Sequence, residues 1–288
     1  MATRDELRAE ARRELARREL ARREFGEFAQ YVMPGYPAAR HLVVLAEHLQ
    51  EVERFVATEG RAGIGRLMVN LPPQYWKSTT ATVLFPAWLL GRHPEKRGIV
   101  TGYNASLAVG FSRRARDVVE GEAYRRVFGD LSGREPVIAV DRESRSAETW
   151  SLAGHFGGVS AAGVGGGITG KTAHWMIIDD PHKDRADAES ELSREAVWAW
   201  YVSAVYTRLQ KGSPIIVIQT RWHSDDLSGR LLKAMADNPL ADWWTVLSLP
   251  AIAPEQDWQK ERPGEPFVDE GAVREQLNWG MGEALLDG

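Results

Sequence analysis

Three apolar runs, each closing on polar side chains, constrain this chain more than any other feature: Leu67-Met-Val-Asn-Leu-Pro-Pro-Gln-Tyr-Trp-Lys-Ser-Thr79, Trp175-Met-Ile-Ile-Asp-Asp180 and Ile215-Ile-Val-Ile-Gln-Thr-Arg-Trp-His223. Each reads as a strand that ends in residues suited to phosphate, magnesium or water. In an open parallel sheet the ligand sits beyond the carboxyl ends of the strands, so three such strands can aim at one nucleotide. The pattern implies ATP-driven chemistry.

The 288 residues suffice for one large α/β domain with extensions and a substantial core. A formal net charge of −4 excludes a uniformly basic nucleic-acid binder and leaves only a local patch for that role. No cysteine is present, which rules out disulfides and thiolate metal sites. The longest apolar run, residues 81–90, contains Pro86 and falls short of the ~20 residues a membrane span needs. The charged N-terminus lacks the apolar centre of a secretory signal, and the expectation is a soluble cytoplasmic protein.

Residues 1–29 read as a charged helical arm. Ala-Arg-Arg-Glu-Leu occurs at 11–15 and 16–20 and Ala-Arg-Arg-Glu-Phe at 21–25. Each repeat advances about 140° around a helix, so Leu15, Leu20 and Phe25 form no stripe and the helix is expected to be solvated. A main domain over 30–249 follows. It opens with an amphipathic helix at 41–58, a strand at 66–71, a tight loop at 72–76 and a helix over 77–90. A strand at 98–101, a helix at 105–120, weaker strands at 136–140 and 148–152, and a Gly-rich loop at 163–170 come next. A strand at 174–178, a long helix carrying Trp198, Trp200, Tyr201 and Val205, a strand at 214–219 and a last helix and strand to about Leu249 complete it. Alternating strands and helices predict a mostly parallel sheet covered on both faces. Proline, glycine and charge dominate 250–288, read as a linker or partly ordered tail.

In the first run, a strand, a loop and Lys-Ser-Thr opening a helix give the geometry in which backbone N–H groups face phosphate. Gln74, Tyr75, Trp76, Lys77, Ser78 and Thr79 form that loop, with Lys77 reaching the β/γ-phosphates and Ser78 holding magnesium. Leu71 and Trp76 stand where G-x-x-x-x-G-K-[ST] has glycine, and a tryptophan at the second place brings bulk and backbone strain. A plain helix start is the alternative for Lys77-Ser78. In the second run, Asp179 would fix Mg²⁺ and Asp180 would orient or deprotonate the attacking water. An Asp-Asp-Pro turn is the alternative there. In the third, Thr220 is the candidate coupling residue and Arg221 a possible phosphate sensor, against a buried threonine and a surface arginine. His182 and His223 lack the spacing of a zinc site.

Gly165-Gly-Gly-Ile-Thr-Gly170 fits G-x-G-x-x-G but leads into a strand instead of following one, so it fails as a dinucleotide fingerprint. This loop could carry Lys171 to a neighbouring subunit's γ-phosphate, with Arg142 and Arg145 as competitors, or be an ordinary flexible loop. Arg113, Arg114 and Arg116 form either a patch for DNA phosphates or a solvated helix face.

With these motifs placed, the sequence resembles the large terminase subunit of tailed bacteriophages. The residues that carry the resemblance are 66–78, Tyr103-Asn-Ala-Ser-Leu-Ala108, Phe111-Ser-Arg-Arg-Ala-Arg116, Gly163-Val-Gly-Gly-Gly-Ile-Thr-Gly-Lys171, Ile178-Asp-Asp-Pro-His-Lys183 and Thr220-Arg-Trp-His-Ser-Asp-Asp-Leu227, within roughly 30–255. The resemblance implies a P-loop NTPase of the additional-strand class, using ATP and Mg²⁺ to drive double-stranded DNA into a procapsid. It implies a homo-oligomeric ring at the portal protein, a small terminase subunit as partner, and a host-cytoplasmic protein that visits the procapsid. By the same pattern Lys77 and Ser78 bind phosphate and Mg²⁺, Asp179 binds Mg²⁺, Asp180 is the catalytic carboxylate, and Thr220 lies in the coupling motif. Arg40 and His41 fall where the family contacts adenine. Large terminases usually continue into a nuclease domain, for which this chain is expected to be too short. Asp225-Asp226 is more simply an acidic helix start than a nuclease metal site. A helicase-like translocase and a nucleotide-binding assembly module without hydrolysis are the competing readings.

Overall fold

The computed structural model describes residues 3–129, 138–168 and 170–250. Its eight strands are β1 (Arg66–Asn70), β2 (Arg97–Gly102), β3 (Val140–Arg145), β4 (Thr149–Leu152), β5 (Gly158–Gly163), β6 (Trp175–Asp179), β7 (Ile215–Gln219) and β8 (Thr245–Ser248). They form one sheet in the order β3-β4-β5-β2-β6-β7-β1-β8. From β5 through β8 every pairing is parallel. A hairpin, β3 and β4, adds antiparallel strands at the far edge. The strand after the phosphate loop's own is therefore not its neighbour: β7 lies between β1 and the acidic β6, which is the additional-strand arrangement.

The central strands are apolar on both faces because both faces are covered. Leu67, Val69, Ile177, Ile216 and Ile218 join a large core on one side. Met68, Met176, Ile178, Ile215 and Val217 join a second core on the other. Period-two alternation along each strand thus feeds two helical layers. On the first side lie α1 (Arg4–Arg23), α2 (Phe25–Val32), α3 (Arg40–Ala57), α4 (Phe85–Arg92), α5 (Ala105–Glu120) and α6 (Glu122–Phe128). Beyond β6 come α7 (Arg185–Glu189), α8 (Glu191–Trp200) and α9 (Leu227–Asp237), of which α8 and α9 supply the second core. Among the described residues no helix is long and apolar enough to cross a membrane.

Several elements differ from the sequence reading. Most of α1 faces solvent, with Leu15 and Leu20 exposed, yet Ala21 is buried and its carbonyl accepts from the Trp88 indole at 3.1 Å. Phe25, expected on that solvated helix, starts α2 and packs edge-on to Phe85 in the core. Val140–Arg145 is a strand where 136–140 was expected, residues 136 and 137 lying outside the described ones. The buried strand β5 was not anticipated, because Gly-Val-Ser-Ala-Ala-Gly carries few strand-forming side chains. The long helix after β6 is divided at Ser190, which caps α8 by accepting from Ser193 N. The tail from 251 lies outside the described residues.

Candidate active site

Parallel pairing places the carboxyl ends of β1, β7, β6 and β2 at one rim, with Asn70 level with Gln219 and Gly102 level with Asp179. The chain leaves β1 into the loop 71–76, where Gln74 and Trp76 adopt φ of 69° and 61°. These left-handed residues turn the chain so that Lys77 opens a helix pointing away from the rim. The Trp76 ring does not fill the loop. It packs edge-on against Tyr36, with centroids 5.9 Å apart, while the Tyr36 hydroxyl lies 2.9 Å from the Thr80 hydroxyl.

Lys77 is buried, and its ammonium lies 3.2 Å from Asp180 Oδ2 and donates to Thr220 Oγ1 at 3.3 Å. Asp180 follows β6 with φ 44°, a left-handed conformation that aspartate tolerates better than most residues. That turn brings its carboxylate back over the rim, where Oδ1 accepts from Thr220 N–H at 2.9 Å. Thr220 Oγ1 also donates to the Leu71 carbonyl at 3.3 Å. Three loops, after β1, β6 and β7, are thereby tied together around one ammonium group.

Asp179 lies beneath them. Ser78 Oγ donates to Asp179 Oδ1 at 3.0 Å, and the Thr82 hydroxyl donates to its other oxygen. Thr82 escaped the sequence reading because its place depends on a π-helical stretch, Thr79–Leu84, in the middle of the helix. The extra residue per turn there rotates Thr82 onto β6, and π-turns often sit at functional sites. Asp179 has no exposed surface, and its pKa is raised by burial first and by the Asp180 charge second. Such a carboxylate is in want of a cation, and hard oxygen donors such as Ser78 and Asp179 suit Mg²⁺. These residues therefore fit the ion expected here.

Around this centre the other expected residues are placed variously. Thr79 accepts from Arg114 at 2.9 Å, and Arg116 is engaged with the Arg145 carbonyl and with Asp117, which leaves Arg113 as the arginine of that trio with no polar partner among the described residues. His41 is buried on α3, its ring 5.7 Å from that of Tyr75, and burial lowers its pKa; it supports the loop from below, while Arg40 is exposed at the helix start. Gln74 is exposed. Arg221, a possible sensor by sequence, donates to Asp226 at 2.8 Å and to the Ser224 carbonyl. Asp226 caps α9 by accepting from Gly229 N, as an acidic helix start would. Lys171 is not part of the cluster. It stands two residues before Ala173, which bridges Leu209 near the amino end of β6. Arg142 and Arg145 lie on β3 at the sheet's edge. His182 faces Asp187 at 3.6 Å and His223 accepts from Asp225 N, and no cluster of three or more His, Asp or Glu side chains able to hold a metal forms among the described residues.

Residues 68–282 match the family model described as terminase large subunit, T4likevirus-type, N-terminal. No curated protein matches in sequence. Among solved structures, the large terminase of bacteriophage HK97 is similar at 11% identity and a TM-score of 0.42 over 80% of this chain, which spans 46% of that protein. A mutant ATPase domain of the Thermus phage P74-26 large terminase is similar at 15% identity and a TM-score of 0.39, over 76% of this chain and 90% of that one.

Proposed function

Because the chain belongs to the family of T4likevirus-type terminase large subunits, as their N-terminal part, we propose that it hydrolyses ATP to move double-stranded DNA into a procapsid. The observation that carries this reading is the meeting of Lys77, Asp180 and Thr220, residues up to 143 positions apart, directly above Ser78 and Asp179. Phosphoryl transfer asks a protein mainly for positioning and charge.

Lys77 supplies one positive charge in a buried setting where screening is weak. A triphosphate at the loop competes with Asp180 for that ammonium. Once released, Asp180 is still held through its other oxygen by Thr220 N–H, so its free oxygen is oriented to accept a proton from water. Ser78 and Asp179 would hold Mg²⁺, which when bound neutralises phosphate charge. Thr220 touches both Lys77 and the Leu71 carbonyl, so a move of Lys77 toward phosphate is felt at the end of β7. That contact is the proposed origin of coupling. A basic residue from a neighbouring subunit, with Lys171, Arg142 and Arg145 as candidates, would complete the site in a ring at the portal, with the small terminase subunit as a further partner.

One observation favours a second reading. Trp76 holds a left-handed φ at a place where glycine would be unstrained, which suits a module that binds nucleotide without turning it over. Steady-state ATP turnover of the wild type and of Asp180→Ala, each with and without DNA and portal-bearing procapsids, separates the readings. Turnover lost in the variant supports the motor. Equal rates end the assignment of Asp180, stimulation by DNA without any portal favours a helicase-like translocase, and wild-type binding without turnover favours the assembly module.

A further inference from the structure

The opposite rim of the same sheet carries a cavity. Lys96 precedes β2, His174 precedes β6 and Gly212 lies just before β7, while Glu59 and Arg61 come from the turn after α3. Together they line a cavity of about 640 Å³, within the usual range of small-ligand sites, roughly 300–1,000 Å³. Five residue steps along β6, from His174 to Asp179, separate it from the acidic strand end by about 16 Å, at ~3.3 Å per residue.

Its charge is one-sided. Arg61, Lys96 and Lys211 face it against the single carboxylate of Glu59. Among the described residues neither Lys96 nor Lys211 has an ion-pair partner, and Glu59 pairs with none of the three cations. Glu95, beside Lys96, is directed elsewhere, onto His155 and the Phe156 amide. His174 Nδ1 accepts from Arg97 N–H at 3.1 Å, so its proton sits on Nε2 as a further donor. Burial and then the Lys96 charge lower the His174 pKa. Two turns in left-handed conformation build the wall: a Cβ on Gly212 would lie 2.8 Å from the Glu59 carbonyl oxygen, and one on Gly60 3.0 Å from the Gly212 backbone. Side chains are excluded there; Arg61 donates its Nε to the Thr58 carbonyl at 2.9 Å, while Lys96 and Lys211 have no ion-pair partner among the described residues. Like charges held together in a cleft attract an anion.

We propose that this cavity is a second phosphate site, taking either a free polyphosphate or consecutive phosphates of a DNA backbone. It is separate from the nucleotide rim and does not depend on the ATP reading.

The test uses pyrophosphate and duplex DNA. In a Lys77→Ala background, which disables the other rim, pyrophosphate is titrated while the His174 ring and Gly212 amide are followed by NMR. Saturable shifts at both, abolished by adding Lys96→Ala and Lys211→Ala, are expected. In parallel, affinity for a roughly 20-base-pair duplex is measured against salt, and loss of two phosphate contacts lowers the log–log slope by about 1.8. A lowered slope identifies the backbone as the source, and pyrophosphate shifts with an unchanged slope identify a small polyphosphate. No shift at His174 or Gly212 together with an unchanged slope overturns the proposal.

Discussion

Replacing Trp76 by glycine and by alanine separates the backbone of the phosphate loop from its side chain. At φ 61° an L-residue sits in the left-handed region, at a cost of roughly 1–2 kcal/mol that glycine does not incur. Both variants forfeit the packing on Tyr36, worth about 0.5–1.5 kcal/mol beyond simple burial. That loss is nearly common to the two, so their difference isolates the backbone term. In ordinary helical or extended backbone, glycine is less stable than alanine by about 0.5–1 kcal/mol. Here the order is expected to reverse, with Trp76→Gly the more stable by about 1 kcal/mol. Urea unfolding followed by circular dichroism measures it, with equal slopes required for the comparison. Relief of the strain is also expected to tighten nucleotide binding, read by titration of a fluorescent ATP analogue. Alanine as stable as glycine would refute the idea that the loop is strained at this residue.

Asp179 has a folded-state pKa above its unfolded value, so it contributes stability at low pH that is lost as pH rises from about 4 through about 7. The wild-type minus Asp179→Asn difference in unfolding free energy should fall across that window; a flat difference contradicts the burial argument. Thr82→Val removes a donor from this buried carboxylate and should destabilise by about 1–3 kcal/mol, with Thr82→Ser recovering most of the loss in the same denaturation assay. Asp226→Ala deletes the α9 cap and removes the carboxylate partner of Arg221, which should cost about 2 kcal/mol and leave any nucleotide affinity unchanged.

Much of the site was legible because its residues sit where strands end. Val, Ile and Met dominate β1, β6 and β7, and among the polar residues that follow each run are the ones that meet, Lys77, Asp180 and Thr220. The arrangement of three loops around Lys77 required only that the strands be parallel and adjacent. What stayed hidden has local physical causes. The residues of β5 become a strand because neighbours bury them, not through propensity, and Gly163 ends it tightly against the start of α5. The role of Thr82 rests on a π-turn that leaves no mark in Thr-Thr-Ala-Thr. Arg116 and Arg221 look alike in sequence as free cations, yet each is engaged by a carboxylate close by in the chain. The basic cavity at the amino rim draws on four separate segments, none of which carries a motif.

The central claim is that one rim of the sheet receives a triphosphate, and a crystal structure with a non-hydrolysable ATP analogue and Mg²⁺ tests it most directly. The account predicts phosphate oxygens within hydrogen-bonding distance of Lys77 Nζ, the metal on Ser78, and Asp180 parted from Lys77 while still accepting from Thr220 N–H. A nucleotide bound elsewhere, or a Lys77 still paired with Asp180 beneath a bound analogue, would contradict it.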